Sequence, residues 1–128
     1  MNQNKPSKKR ILAVDDNAQM LDLVREVLEM AGYDASMATC GRAGLDFILT
    51  RPEKIDLLLI DMNIGDMTGP EFLVELEQVR PKFLTTTPAV FISGVESVPK
   101  TMATGFIQKP FGINTLLETV RSYVGPGL

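Results

Sequence analysis

Short apolar runs, each ending at polar side chains, alternate along this chain with stretches of helical apolar spacing, and that alternation restricts it to few architectures. Ile11-Leu12-Ala13-Val14 is the first run and Tyr33–Ala38 a weaker second. Ile55–Ile60 is the strongest, followed by Ala89–Ile92 and the brief Phe106-Ile107. Runs apolar at consecutive positions suit strands covered on both faces, as in parallel sheets. Between them, Asn17 is placed to cap a helix carrying Leu21, Val24, Leu28 and Ala31, with Gly32 at its C′ position. A second helix starts near Arg42, turns Leu45, Ile48 and Leu49 inward and stops before Pro52. Thr68 and Glu71 have capping-box spacing, with Pro70 near the first helical position, opening a helix that buries Phe72, Leu73 and Leu76. A last helix places Ile113, Leu116, Leu117, Val120 and Val124 on one stripe and closes at Gly125-Pro126. The count is five strands and four clear helices. Right-handed crossovers then imply an open parallel sheet with helices on both faces.

In such sheets ligands bind beyond the carboxyl ends of the strands, where the strand order switches. Asp15 and Asp16 follow the first run, Asp61 the third, Ser93 the fourth and Lys109 the fifth. Four strand ends thus bring three carboxylates, a hydroxyl and a lysine to one edge. Carboxylates that close repel, so the group is expected to take up a proton or a cation. Mg²⁺ is the hard, oxygen-preferring candidate, bound through one or two carboxylates with sites left for water and phosphate oxygens. A carboxylate is also a nucleophile towards phosphorus, and a metal and a lysine would neutralise charge on the transferring oxygens.

Composition removes alternatives. At 128 residues the chain is long enough for one core. It contains no histidine, which excludes a histidine kinase, a phosphohistidine carrier, Ser-His or Cys-His catalysis and a histidine-ligated zinc. Cys40 is the only cysteine, read as a helix-entry residue, so no intramolecular disulfide forms. No run approaches the ~20 apolar residues of a membrane span, and no apolar stretch precedes Ile11 as a secretory signal would require. A cytoplasmic protein without membrane partners is expected. Lys5, Lys8, Lys9 and Arg10 lie in the first ten residues, which hold no acid; residues 1–9 are read as a flexible basic tail, with the folded domain at 10–125 and a short tail at 126–128. From residue 11 onward there are nine basic residues against sixteen acidic, with no cluster for phosphate contacts, which argues against nucleic-acid binding.

The residues at the strand ends resemble the response-regulator receiver domain of two-component signalling, apparently as a stand-alone unit. The matching pieces are Val14-Asp15-Asp16-Asn17, Leu58-Leu59-Ile60-Asp61 with Met67-Thr68-Gly69, Phe91-Ile92-Ser93-Gly94, and Lys109-Pro110-Phe111. Any one piece is weak; all four in order at strand ends are specific, and the similarity spans about residues 10–124. The resemblance implies a flavodoxin-like, doubly wound five-stranded parallel sheet of order 2-1-3-4-5. It implies Asp61 as the phosphoacceptor. Asp16, Asp61 and the Asn63 backbone carbonyl would ligate Mg²⁺ or Mn²⁺, and Asp15 would act largely through water. Ser93 and Lys109 would hold the phosphoryl group, Phe106 would be the aromatic switch residue, and the Lys109-Pro110 peptide would be cis. The donor would be a histidine kinase or histidine phosphotransfer domain, and the output an unidentified protein target. Such a domain catalyses only its own phosphorylation and slow dephosphorylation and is not otherwise an enzyme. The alternatives are a phosphorylation-independent interaction scaffold on the same fold and a phosphatase of the haloacid dehalogenase type. Degenerate receivers typically lose a key acid or the lysine, and this chain keeps them; the phosphatase's Asp-x-Asp is absent, since Asp61 is followed by Met62-Asn63.

Two departures stand out. Ile64-Gly65 replaces the family's usual Met-Pro, which frees the backbone beside Asp61. Only 16 positions separate Ser93 from Lys109, and Gly94, Pro99 and Gly105 interrupt them, so the fourth helix is expected to be short or distorted. Phosphorylation is accordingly not expected to drive dimerisation through residues 95–124. Asp66 and Asp56 read as solvated loop and strand-entry residues.

Overall fold

The strands are apolar because each presents alternate side chains to two separate helical layers. The computed structural model describes residues 8–94 and 105–128. In chain order the elements are β1 (Arg10–Val14), α1 (Ala18–Met30), β2 (Asp34–Ala38), α2 (Gly41–Thr50), β3 (Leu57–Asp61), α3 (Gly69–Val79), α4 (Phe83–Thr86), β4 (Ala89–Ser93), β5 (Gly105–Gln108) and α5 (Ile113–Val124). The five strands form one sheet in the order β2-β1-β3-β4-β5, every neighbouring pair parallel. This is the expected doubly wound arrangement.

Period-two alternation divides the sheet. Ile11, Ala13, Leu57, Leu59, Val90 and Ile92 pack with Leu21, Val24 and Leu28 of α1 and Leu116 and Val120 of α5. Leu12, Val14, Leu58, Ile60, Ala89 and Phe91 face the other way, onto Leu45 and Ile48 of α2 and Phe72, Leu73 and Leu76 of α3. Fully burying one such side chain contributes about 1.5–3 kcal/mol, so both layers press the central strands into a fixed register.

The caps follow the sequence. The Asn17 side chain accepts from the Met20 amide, and Thr68 and Glu71 complete a reciprocal capping box. Cys40 does enter a helix: its Sγ accepts from the Ala43 amide at 3.4 Å. Two stripe residues correct the reading, since Leu49 is 40% exposed and Ile113 54%. Both sit in a terminal turn of their helix, where a neighbour completing the apolar ridge is missing on one side. The four-residue α4 was not anticipated, being too short to show a period; the Thr85 and Thr86 hydroxyls donate back to the Lys82 and Phe83 carbonyls there. Residues 95–104, on which the short or distorted fourth helix was expected, lie outside the described residues, as do residues 1–7 of the basic tail.

Candidate phosphoacceptor site

Backbone hydrogen bonds at the strand ends set where the polar side chains stand. The Asp15 amide donates to Ala38, continuing the β1–β2 ladder one residue beyond Val14. The Met62 amide donates to Ile92, and the Lys109 amide donates to the Ser93 carbonyl at 2.6 Å. The ladders therefore run past the last apolar residues and bring Asp15, Asp61, Ser93 and Lys109 to one edge. The Lys109-Pro110 peptide is cis, as expected.

Asp15, Asp16 and Asp61 each offer a carboxylate oxygen, and these oxygens lie within 4.8 Å of one another. Asp15 is buried, Asp16 exposed and Asp61 half-buried. Asp15 Oδ1 accepts from the Asn17 amide at 2.9 Å, whereas its Oδ2 is buried and accepts no hydrogen bond. Burial raises the Asp15 pKa, the Asn17 amide opposes that, and the Asp61 charge adds to it. The Lys109 ammonium lies 3.2 Å from Asp61 Oδ1 and 3.8 Å from Asp15 Oδ2. Asp61 Oδ1 also accepts from the Met62 amide at 2.9 Å.

The donor set suits a divalent cation. Among the described residues three carboxylates cluster here and Lys109 pairs with two of them, while the buried Asp15 Oδ2 accepts no hydrogen bond and has only the ammonium 3.8 Å away to offset its charge. The set is all oxygen, as Mg²⁺ and Mn²⁺ prefer, and without the nitrogen or sulfur ligands of zinc.

The remaining predicted residues differ in setting. Ser93 is buried at the end of β4, paired in register with Gln108. Asn63 is in the β3–α3 loop, where its main chain bridges to Thr68 and its side chain accepts from the Gly65 amide at 3.2 Å. Phe106 is 40% exposed on β5. Gly65 adopts φ +87°, a conformation proline cannot take, which is the physical content of the Ile64-Gly65 departure. Ile64 is fully buried in the α2–α3 layer.

Asp66 is an exposed loop residue, as expected, and has a further role: its two carboxylate oxygens accept from the Gly41 and Arg42 amides at 2.7 and 2.9 Å. Those two bonds hold its pKa below the ordinary carboxylate value. A signal existed: α2 starts at a cysteine, a poor capping residue, which leaves orphan amides needing an acceptor from elsewhere. Asp56 was also more specific than expected, accepting from the Arg10 amide at 2.8 Å where β1 and β3 begin.

Known proteins are similar to this chain in sequence and fold. The family model described as response regulator receiver domain matches residues 11–121. The polar-differentiation response regulator DivK of Brucella ovis is 28% identical over 121 residues, covering 91% of this chain and 97% of that protein. Among solved structures, a CheY-like receiver domain protein of Methanospirillum hungatei JF-1 is 31% identical, with TM-score 0.77, over 91% of this chain and 93% of that one. Chemotaxis protein CheY4 of Vibrio cholerae is 30% identical with TM-score 0.81, over 92% and 100%. The match runs from the second residue of β1 into α5 and takes in every strand end that carries the site, so this chain belongs to the response regulator receiver domain family.

Proposed function

We propose that this chain accepts a phosphoryl group on Asp61 from a phosphohistidine of a histidine kinase or histidine phosphotransfer domain. Receiver domains are signalling domains, and the phosphorylated form would change its hold on a protein target. The observation that carries the proposal is Asp61 paired with Lys109 at 3.2 Å while Asp15 and Asp16 stand within 4.8 Å of it. An Asp61 oxygen attacks phosphorus, the bond from phosphorus to the donor imidazole nitrogen breaks, and that nitrogen keeps the electron pair. Lys109 neutralises charge on the arriving oxygens. A Mg²⁺ or Mn²⁺ ion held by Asp15, Asp16, Asp61 and the Asn63 carbonyl would supply further positive charge at those oxygens. The Ser93 hydroxyl then bonds the phosphoryl group, and Phe106 turns inward from its exposed position as the two-state element biased by that charge.

The unit that does this is residues 10–125, with 1–9 as a basic tail and 126–128 as a short C-terminal tail. Among the described residues no helix is long and apolar enough to cross a membrane. Incubation with acetyl phosphate and Mg²⁺, read by intact mass, tests the proposal. A phosphate adduct that disappears in Asp61→Asn supports it. No adduct on the wild-type protein favours an interaction scaffold independent of phosphorylation.

A further inference from the structure

The loop joining β3 to α3 is a small closed turn. The Asn63–Thr68 bridge, the Ile64 amide to the Met67 carbonyl at 3.0 Å, and the Gly69 amide to the Met62 carbonyl at 2.8 Å hold its two limbs together. Its tip is Gly65-Asp66. A Cβ built on Gly65 would stand 3.5 Å from the Asp16 carboxylate, so the tip passes directly beside the acidic cluster. The Gly65 amide donates to the Asn63 side chain at 3.2 Å and the Asp66 amide to the Ile64 carbonyl at 3.1 Å, but a glycine at the tip costs more backbone entropy to hold than a residue with a side chain would.

Two restraints reach it from α2. Asp66 accepts the two leading amides of that helix, and the Met67 side chain covers Gly41 so closely that no Cβ fits there. Arg42, whose amide is one of those donors, also binds Glu75 of α3 at 3.0 Å, tying α2 to the helix that follows the loop. Helix amides at an N-terminus carry partial positive charge, so a carboxylate there is held by charge as well as by hydrogen bonds. The helix needs the carboxylate, since Cys40 serves only the Ala43 amide. The loop gains from it too: its internal bonds close the turn on itself, and the Asp66 bonds join that turn to α2.

We infer that Asp66 is a positioning residue for the phosphoacceptor site, fixing the loop that carries the Asn63 carbonyl by clamping its tip to the first amides of α2. The inference rests on the reading of Asp15, Asp16, Asp61 and Asn63 as the cation site, and it adds that occupancy of that site and order at the start of α2 are coupled. The coupling runs both ways, because a cation that favours the clamped loop also favours the bonds that clamp it.

Mn²⁺ titration followed by electron paramagnetic resonance of the free ion tests this on the whole chain. Amide exchange at Gly41 and Arg42 is measured alongside. Asp66→Ala is expected to weaken Mn²⁺ binding on the order of tenfold, in the range for residues that orient ligands without touching the metal. Asp66→Asn, which keeps one acceptor oxygen, is expected to recover part of that loss. Asp46→Ala removes a charge felt by the Arg42 side chain but none of the hydrogen bonds that Asp66 makes, and is expected to bind as wild type. In the wild-type protein Mn²⁺ is expected to slow exchange at Gly41 and Arg42, an effect absent in Asp66→Ala. Wild-type affinity in Asp66→Ala would overturn the inference while leaving the cation site standing. An equal loss in Asp46→Ala would also overturn it, since that is the signature of general electrostatics. A wild-type protein that binds no Mn²⁺ overturns both the site reading and this inference.

Discussion

The Lys109 ammonium stands between two carboxylates, 3.2 Å from Asp61 and 3.8 Å from Asp15, and so acts as the resident cation of a site built for more than one. Lysine and a divalent ion both answer the same negative charge, and each weakens the call for the other. Lys109→Met should therefore bind Mg²⁺ at least as tightly as the wild type, measured by calorimetry. Its phosphorylation by acetyl phosphate, followed by intact mass, should slow on the order of 10²-fold through loss of charge stabilisation. Weakened Mg²⁺ binding with an unchanged rate would show that Lys109 serves only to hold the apo site together.

Asp15 is a cost to the metal-free fold. Its Oδ2 is buried without a hydrogen bond, and burial raises its pKa above the ordinary 3.8. For a carboxyl whose folded pKa is raised, the folded state holds more protons than the unfolded one between the two values. Stability therefore falls as pH rises from about 3.8 through the folded value, and the full penalty persists above it. Asp15→Asn in chelator at neutral pH should be more stable by roughly 1 kcal/mol, or about 3–5 °C in Tm for a domain of this size. The gain should vanish near pH 3 and reverse when Mg²⁺ is added, because the wild type then gains binding energy that the variant lacks. A variant less stable than wild type in chelator would mean that the Lys109 attraction outweighs desolvation.

The predictable parts of this molecule were those in which neighbours in sequence answer one another. Apolar runs reveal strands because the sheet is covered on both faces, and the residue after each run falls at the ligand edge by topology alone. Asp15, Asp61, Ser93 and Lys109 were legible for that reason. The role of Asp66 was legible only by half: the cysteine cap of α2 shows that amides there need an acceptor, but nothing in the sequence points to a carboxylate 25 and 24 residues away from Gly41 and Arg42. The buried end of Thr87 was missed on the same ground, its acceptor being the carbonyl of Ile55, 32 residues earlier. Leu49 and Ile113 show the opposite error, an apolar stripe read one position past the surface that covers it.

Thr87 tests how much such a long-range polar contact contributes. Its side chain is buried, and its hydroxyl donates to the Ile55 carbonyl at 2.9 Å, joining the approach of β4 to the approach of β3. Thr87→Val keeps the shape and removes the donor. The expected loss is about 1–2 kcal/mol by urea unfolding, with no change in denaturant slope. Phosphorylation by acetyl phosphate should be unaffected, since the contact lies at the opposite end of β3 from Asp61. An unchanged midpoint would mean that the carbonyl finds another donor.

Gly69 links packing to chemistry most directly. It opens α3, its amide donates to Met62, and a Cβ there would stand 2.8 Å from both the Asp61 carbonyl oxygen and the Phe91 ring. The ring is fully buried and the carbonyl is main chain, so neither yields cheaply. Gly69→Ala must push α3 away from the end of β3 or shift Asp61 itself. Overpacking of this kind costs roughly 1–3 kcal/mol, although alanine is the better helix former. Because the displaced atoms belong to Asp61, the phosphorylation rate should fall at temperatures where the variant is still fully folded by circular dichroism. Lower stability with wild-type phosphorylation would indicate that the strain relaxes entirely into the Phe91 side, and that the position of Asp61 does not depend on the close approach of α3.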